Sequence, residues 1–247
     1  MIAFGIDIGG SGIKGAAVDL GTGELVDRRR RVDTPSPSQP EAMIAAVAQI
    51  VRFHAWTGPV GVTVPGVVVD GKVLTAVNID KGWIGFDAQK CMSEMLGVQV
   101  SVLNDADAAG LAEMQYGSHG TERGVVLLLT FGTGIGSALI NDGVLVPNTE
   151  FGHLEFKGMV AEKYASARLV KRDHLDIERW AGRVSEFLQY LELILSPKKI
   201  VFGGGISRRF EEFEELLDTR APVVPARLRN NAGIVGAAIM AASKEHK

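Results

Sequence analysis

Apolar residues along this chain follow two rhythms, and the rhythms alternate. Short runs rich in β-branched residues, Ala3 to Ile8 and Gly15 to Leu20, predict two strands on either side of the turn Gly9-Gly10-Ser11-Gly12. Gly21 to Leu25 predicts a further hairpin turn leading to a third strand near Leu25 to Val32. After the Pro/Ser-rich loop Thr34 to Ala42, the residues Met43, Ile44, Val47, Ile50, Val51 and His54 fall at helical spacing. A strand at Pro59 to Val64, a strand-turn-strand through Asp70-Gly71, a helix starting near Asp87 and a strand at Val98 to Leu103 follow.

From Asp105 the order restarts. A helix (Ala106 to Tyr116), a strand (Val125 to Thr130), a second glycine turn (Gly132-Thr133-Gly134), another strand and an Asn141-Asp142-Gly143 hairpin turn predict an internal duplication. Residues 157–176 are polar and mixed, and predict only broken helix. A long amphipathic helix runs from Ile177 to Leu195 and ends before Pro197. "KKIVFGGGIS" predicts a buried strand entering Gly203-Gly204-Gly205, then a helix rich in Phe and Glu, and last a helix of small residues. The expected organisation is a small domain, residues 1–104, completed by the C-terminal helix 231–247, and a large domain, residues 105–230.

Composition narrows the function classes. With 46% hydrophobic and 22% charged residues, the 247-residue chain can bury a sizeable core. A net charge of -3 gives no global field for nucleic acid or an acidic membrane, so any polyanion must meet a local basic patch. The single cysteine, Cys91, cannot form an internal disulfide, and "MIAFGIDIGG" lacks the regions of a signal peptide; a cytoplasmic protein is expected. Apolar runs fall short of the about 20 residues that a membrane span needs.

The two glycine turns carry the chemical question. A nucleotide-hydrolase phosphate loop requires Gly-x-x-x-x-Gly-Lys-Ser/Thr entering a helix, and "GGSGIKGA" has neither that spacing nor the terminal hydroxyl. The dinucleotide fingerprint must join a strand to a helix, whereas Gly15 and Gly136 are followed by short apolar runs that read as strands. Glycines there allow positive φ and close backbone approach, and Ser11 and Thr133 add hydroxyls, so the N–H groups could cradle phosphate oxygens. Either loop alone reads equally as an ordinary hairpin turn. Two matched loops in a duplicated frame favour the cradle.

With these motifs in view, the chain resembles the ROK family of sugar kinases, within the actin, hexokinase and Hsp70 superfamily. "DIGGSGIKG" resembles the first phosphate motif, "LTFGTGIGSALI" the second, and "VFGGGIS" the glycine motif that meets adenosine. "VLNDADAAGLAEMQYG", "VPNTEFGHLEF" and "LRNNAGIVGAAI" are similar to the actinobacterial polyphosphate-using branch of the family. The resemblance implies a duplicated α/β fold of the ribonuclease H-like kind, two domains with a central cleft holding the sugar, a homodimer, and transfer of a phosphoryl group to the 6-hydroxyl of glucose. The donor implied is inorganic polyphosphate, with ATP as a second donor, and the cofactor is Mg2+.

Phosphoryl transfer asks a protein to position its substrates and neutralise charge, with a carboxylate to take the hydroxyl proton. Asn104-Asp105 follows a strand, either as a ligand-facing pair at its carboxyl end or as a helix N-cap. The resemblance makes Asp105 the general base and Asn104 a sugar contact. Asp107 reads as a first-turn carboxylate favoured by the helix dipole.

An acid at a buried strand end, as at Asp7, is costly unless it is paired or near a cation. The resemblance makes Asp7 a Mg2+ partner through water, beside a donor site of Gly9, Gly10, Ser11, Gly12, Gly132, Thr133, Gly134, Gly204 and Gly205. Lys14 reads equally as a phosphate contact or a solvated strand residue.

Glu150 and His153, with Glu155 two residues on, supply both acceptors and donors suited to a ring of hydroxyls. The resemblance assigns Glu150 and His153 to the sugar, together with Gly66 and Asn78, with Asp80 a further candidate and Trp83 a core or lid residue. Many members of the family place a zinc-binding cysteine cluster downstream of this histidine. Residues 154–176 contain no cysteine here, so no four-ligand zinc site is expected.

A polyphosphate chain needs spaced cations. Arg28 to Arg31 reads as a solvated edge strand, while Lys157, Lys163, Arg168, Lys171 and Arg172, with Arg208 and Arg209 after the triple glycine, are the expected path. Three competing readings are an ATP-dependent hexokinase of other sugar preference, a DNA-binding repressor of the same family and an actin-like assembly switch. The repressor needs an N-terminal helix-turn-helix, for which a strand beginning at residue 3 leaves no room. The switch leaves Asn104-Asp105 with Glu150 and His153 unexplained.

Overall fold

The N-terminal apolar runs form strands β1 (Ile2–Ile8) and β2 (Ile13–Asp19), paired antiparallel from Ile2 opposite Asp19 to Ile8 opposite Ile13. In the computed structural model, which describes residues 1–117 and 123–243, two short strands share the outer edge of β2. These are β3 (Glu24–Leu25) and β4 (Arg30–Val32), where one strand from Leu25 to Val32 was expected. Val26 still donates to the Ala17 carbonyl, but the chain leaves the ladder over residues 27–29. Charge on an edge disfavours continuous pairing, and Arg29 turns instead to the Asn231 side chain, 3.1 Å away.

Helix α1 (Pro40–Phe53) starts on a proline, whose missing N–H costs nothing in a first turn, and buries Met43, Ile44, Val47, Ile50 and Val51. Strand β5 (Val60–Val64) runs parallel to β1. The ribbon β6 (Val68–Val69) and β7 (Lys72–Val73), a 3-10 turn at Lys81–Trp83, and helix α2 (Ala88–Leu96) lead to β8 (Val100–Asn104), parallel to β5. Helix α3 (Asp105–Tyr116) follows directly.

The second series repeats the pattern. Strands β9 (Val125–Phe131) and β10 (Ile135–Asn141) pair antiparallel across the second glycine loop, and β11 (Val144–Val146) extends the hairpin. Residues 157–176, legible only as broken helix, belong to a ribbon, β12 (Glu155–Phe156) with β13 (Met159–Val160), and two short helices, α4 (Ala161–Ala165) and α5 (Arg168–Arg172). What orders them is Trp180 on α6 (Ile177–Leu195), whose buried indole N–H donates to the carbonyls of Ala165 and Ser166 at 3.0 and 3.1 Å.

Strands β14 (Lys199–Gly203) and β15 (Val223–Pro225) complete the second sheet. Its order, β11-β10-β9-β14-β15, is that of the first, β3-β2-β1-β5-β8: in both, a hairpin is followed by two parallel strands.

The segment rich in Phe and Glu is a run of 3-10 turns, Gly205–Glu212 and Glu214–Leu216, broken at Arg209, in place of the expected α-helix. Three residues per turn set Phe210 and Phe213 one above the other. Both are buried, with Phe213 5.1 Å from the Trp180 ring and 5.3 Å from Phe202.

The chain closes with α7 (Ala232–Ser243); residues 244–247 of the expected C-terminal helix lie outside the described residues. By internal contacts the chain divides into Met1–Ala112 with Asn231–Lys247, and Glu113–Asn230. Within the first unit α7 lies directly on β1 and β5. A Cβ on Gly5 would come within 1.8 Å of the Ile234 carbonyl oxygen, and one on Gly61 within 1.8 Å of that of Ala237. Glycine is what permits this spacing.

Candidate active site

Both glycine loops join strand to strand. The first spans Gly9 to Gly12 between Ile8 and Ile13, and the second is one residue shorter, Gly132 to Gly134 between Phe131 and Ile135. Their glycines do not use the left-handed region, which was one expected reason for them. Close approach by a side chain applies to Gly12 and Gly134, whereas Gly10 and Gly132 have nothing within 4 Å of a Cβ. A Cβ on Gly12 would sit 2.6 Å from Nε of Arg31, and one on Gly134 would sit 2.3 Å from a carboxylate oxygen of Glu162. Left-handed backbone occurs at the third motif, where Gly204 has φ +87° and packs against the Phe131 backbone.

Around the first loop the strand pairing assembles a charged group. Asp7 ends β1; its Oδ1 accepts from the Thr63 hydroxyl at 3.1 Å, and its Oδ2 lies 3.5 Å from Nζ of Lys14. Gly233 at the start of α7 packs against the same carboxylate, with room for no side chain. Gly10 and Ser11 are exposed at the tip. Arg31, read from sequence as part of a solvated edge, instead lays its guanidinium on the loop, donating to the Ser11 carbonyl at 2.7 Å and to Asp33 at 2.6 Å. Pairing of β4 with the strand leaving the loop puts Arg31 opposite Lys14, and that register was the signal that could have found it.

Of the two roles that the sequence left open for this pair, the cap falls to Asn104. Asn104 is buried and caps α3, its Oδ1 accepting from the N–H groups of Ala106 and Asp107 at 2.8 and 3.1 Å, while its Nδ2 donates to the Gly66 carbonyl. Gly66 is itself pressed against Thr75, leaving no space for a Cβ. Asp105 is half-buried at the carboxyl end of β8, with one oxygen accepting from the Ala106 N–H at 2.9 Å. Asn78 is exposed. Asp80 caps the 3-10 turn by accepting from the Gly82 N–H, and Trp83 is fully buried with its indole donating to Ser38.

In the second unit, Ser137 fastens the segment after β11 to β10, accepting from the Phe151 N–H at 3.0 Å and donating to the Thr149 carbonyl at 2.6 Å. This sets Glu150 3.5 Å from Nδ1 of His153, whose Nε2 is 4.0 Å from Glu162. The imidazole thus stands between two carboxylates. Glu155, grouped with them by sequence, is exposed in the ribbon. Glu162 had no sequence signal, because the β12–β13 ribbon alone carries it back to Gly134. Burial raises the Glu150 carboxyl above the ordinary range; the nearby His153 opposes this and the Glu162 charge adds to it. Among the described residues no group of three or more His, Cys, Asp or Glu could hold a metal ion.

Gly132, Thr133 and Gly205 meet at a cavity of about 710 Å³. Arg168, Lys171, Arg172, Arg208 and Arg209 line it, and among the described residues no carboxylate does. Two other basic residues expected on the same path are not among its lining. Lys157 is engaged by Glu186 and by the Tyr164 hydroxyl at 3.4 Å, and Lys163 is exposed elsewhere on α4. Arg168 is tied to the second loop: its backbone N–H donates to the Gly132 carbonyl at 3.0 Å, and its Nε is buried with no hydrogen-bond partner.

Residues 3–167 match the model of the ROK family. The chain belongs to the ROK family. It is 51% identical over 237 residues to a polyphosphate glucokinase of Mycobacterium tuberculosis (strain H37Rv), covering 96% of this chain and 89% of that one. Among solved structures, the inorganic polyphosphate/ATP-glucomannokinase from Arthrobacter sp. strain KM superposes with a TM-score of 0.95 at 47% identity, over 98% of this chain and 99% of the other. A ROK family glucokinase from Streptomyces griseus, solved with glucose and AMPPNP, gives 0.83 at 25% identity, over 98% and 100%. The actin/hexokinase-like α/β fold of the family accounts for the two sheets of identical strand order. The family match ends at residue 167, yet the solved relatives extend through α6, β14 and α7 as well.

Proposed function

We propose that this chain transfers the terminal phosphoryl group of inorganic polyphosphate, and of ATP as a second donor, to the 6-hydroxyl of glucose. The observation that carries this reading is the cavity at the second glycine loop, lined among the described residues by five cations and no acid, in a chain half identical to a polyphosphate glucokinase. Asp105 is the general base, accepting the hydroxyl proton at its carboxylate, one oxygen of which also accepts from the Ala106 N–H of the helix. Gly66, Asn78, Asn104, Glu150 and His153 hold the sugar, and Glu162 joins them through His153. Asn104 acts there while capping α3. The donor-binding residues are Gly9, Gly10, Ser11, Gly12 and Lys14 of the first unit, to which Arg31 is added, and Gly132, Thr133, Gly134, Gly204 and Gly205 of the second.

Mg2+ suits a single strand-end carboxylate, because it keeps several waters and is held by one or two carboxylates together with substrate phosphates. Asp7 fits that description, with Thr63 and Lys14 fixing its oxygens. An ion held there would supply neutralisation of charge on the transferring oxygens. The reading extends to a cytoplasmic homodimer; α6 buries Trp180, Phe187 and Leu191 but leaves Leu193 and Ile194 exposed as apolar surface.

The test is direct. Glucose and Mg2+ with purified polyphosphate, and in parallel with ATP, are expected to give glucose 6-phosphate in both mixtures. Product with ATP alone would reduce the reading to an ATP-dependent hexokinase, and no product with retention on DNA would replace it by a regulator.

The raised Glu150 carboxyl sets a pH dependence. Its acceptor strength for a sugar hydroxyl belongs to the ionised form, which is lost at a higher pH than for an ordinary carboxylate. KM for glucose is therefore expected to climb as pH falls from neutrality, and Glu150→Gln should have a higher KM with that slope removed. A wild-type KM that stays level down to the ordinary carboxylate range would contradict the assignment.

A further inference from the structure

The five cations around the cavity are not equivalent. Arg172 is bound at two points by Asp173, with NH2 2.8 Å from Oδ2, and Arg209 is bound at two points by Glu212, at 2.8 and 2.6 Å. Neither carboxylate is among the residues that line the cavity, whereas the arginine that each one binds is. Hydrogen bonds from the arginines hold Asp173 and Glu212 below the usual carboxylate range, so both are charged wherever the enzyme works. Arg168, Lys171 and Arg208 have no ion pair among the described residues; the Nε of Arg168 is buried with no hydrogen-bond partner, and the Asp173 charge reaches this residue only at longer range. The cavity is therefore lined by three cations without an ion pair and by two, Arg172 and Arg209, each paired with a carboxylate.

We propose that Asp173 and Glu212 are affinity-limiting residues for the donor: by neutralising Arg172 and Arg209 they keep the cavity from gripping a polyanionic chain as tightly as its five cations could. The inference rests on the donor reading given above. A polymeric donor makes such a restraint useful. Binding that is equally strong before and after transfer does not speed the chemical step, and it slows release of the shortened chain. Exposed ion pairs stabilise a fold little, so removing these carboxylates changes the field at the cavity far more than it changes the structure.

The experiment is a titration of the protein, without glucose, with linear polyphosphate of one defined chain length at low and at high salt. Asp173→Asn/Glu212→Gln is expected to bind the chain about tenfold more tightly than wild type at low salt, since two added charges act within about one Debye length of several phosphates. Its affinity should fall more steeply with salt, as for polyanions that shed condensed counter-ions on binding. KM for polyphosphate should drop in parallel.

The same change of net charge made on the first unit, Glu24→Gln/Glu94→Gln, is expected to leave polyphosphate affinity within about twofold of wild type. Equal tightening in that control, or unchanged or weaker binding in Asp173→Asn/Glu212→Gln, overturns the restraint while leaving the donor assignment standing. Absence of any polyphosphate binding by wild type, with glucose phosphorylated from ATP, overturns both.

Discussion

Asp105→Asn is expected to lower kcat for glucose phosphorylation by about 10²–10⁴-fold, with glucose affinity and thermal stability near those of wild type. The amide keeps the size of the carboxylate and can still accept from the Ala106 N–H, so the turn into α3 survives. What it lacks is basicity toward the sugar hydroxyl. The cap itself belongs to Asn104, whose Oδ1 takes two N–H groups of the first turn, so Asn104→Ala should instead cost about 0.5–2 kcal/mol of stability. Steady-state kinetics, calorimetric titration with glucose and thermal unfolding on the two variants separate the roles. A kcat for Asp105→Asn within tenfold of wild type would remove it as the base.

Gly61→Ala is expected to destabilise the protein by about 3 kcal/mol or more, although it adds one methyl group to a strand. That methyl would sit 1.8 Å from the Ala237 carbonyl oxygen and 2.4 Å from its carbon. β5 cannot yield, because it is hydrogen-bonded on both edges, to β1 and to β8. The helix must lift instead, and with it Gly233, which packs against Asp7. A reduced denaturation midpoint should therefore come with reduced turnover in the folded fraction. Gly182→Ala supplies the opposite sign: it lies in α6 with nothing within 4 Å of the new methyl, and should stabilise by up to about 1 kcal/mol. Comparable midpoints for the two variants would show that close approach of α7 to the sheet does not limit stability.

Legibility from sequence followed the range of the interactions. The long helix came out at its observed limits, Ile177–Leu195, because its apolar stripe repeats at the helical period over nineteen residues. The glycine turns were placed between strands for the same local reason. The Phe- and Glu-rich segment misled: Phe210 and Phe213, three residues apart, suit an α-helix and a 3-10 turn alike, and the ring cluster around Trp180 and Phe202 selects the latter. Within the site, Asp7, Lys14, Glu150 and His153 stand in or beside motifs with local signatures. Arg31 and Glu162 do not, and they touch the two loops only after an edge strand and a ribbon have returned the chain to them.

By itself the sequence determined the alternation of strands and helices, the duplicated order, the two glycine turns and the kinase-like set of polar residues. These depend on backbone periodicity and on residue types within a few positions of one another, and both are written along the chain. Only the tertiary structure decided which loop glycines are closely approached, and by which side chains, and which basic residues line the cavity at the second glycine loop. Those are matters of approach between residues 20 to 100 or more positions apart, at distances of a few ångströms, and local preference holds no information about which distant side chain will fill that space.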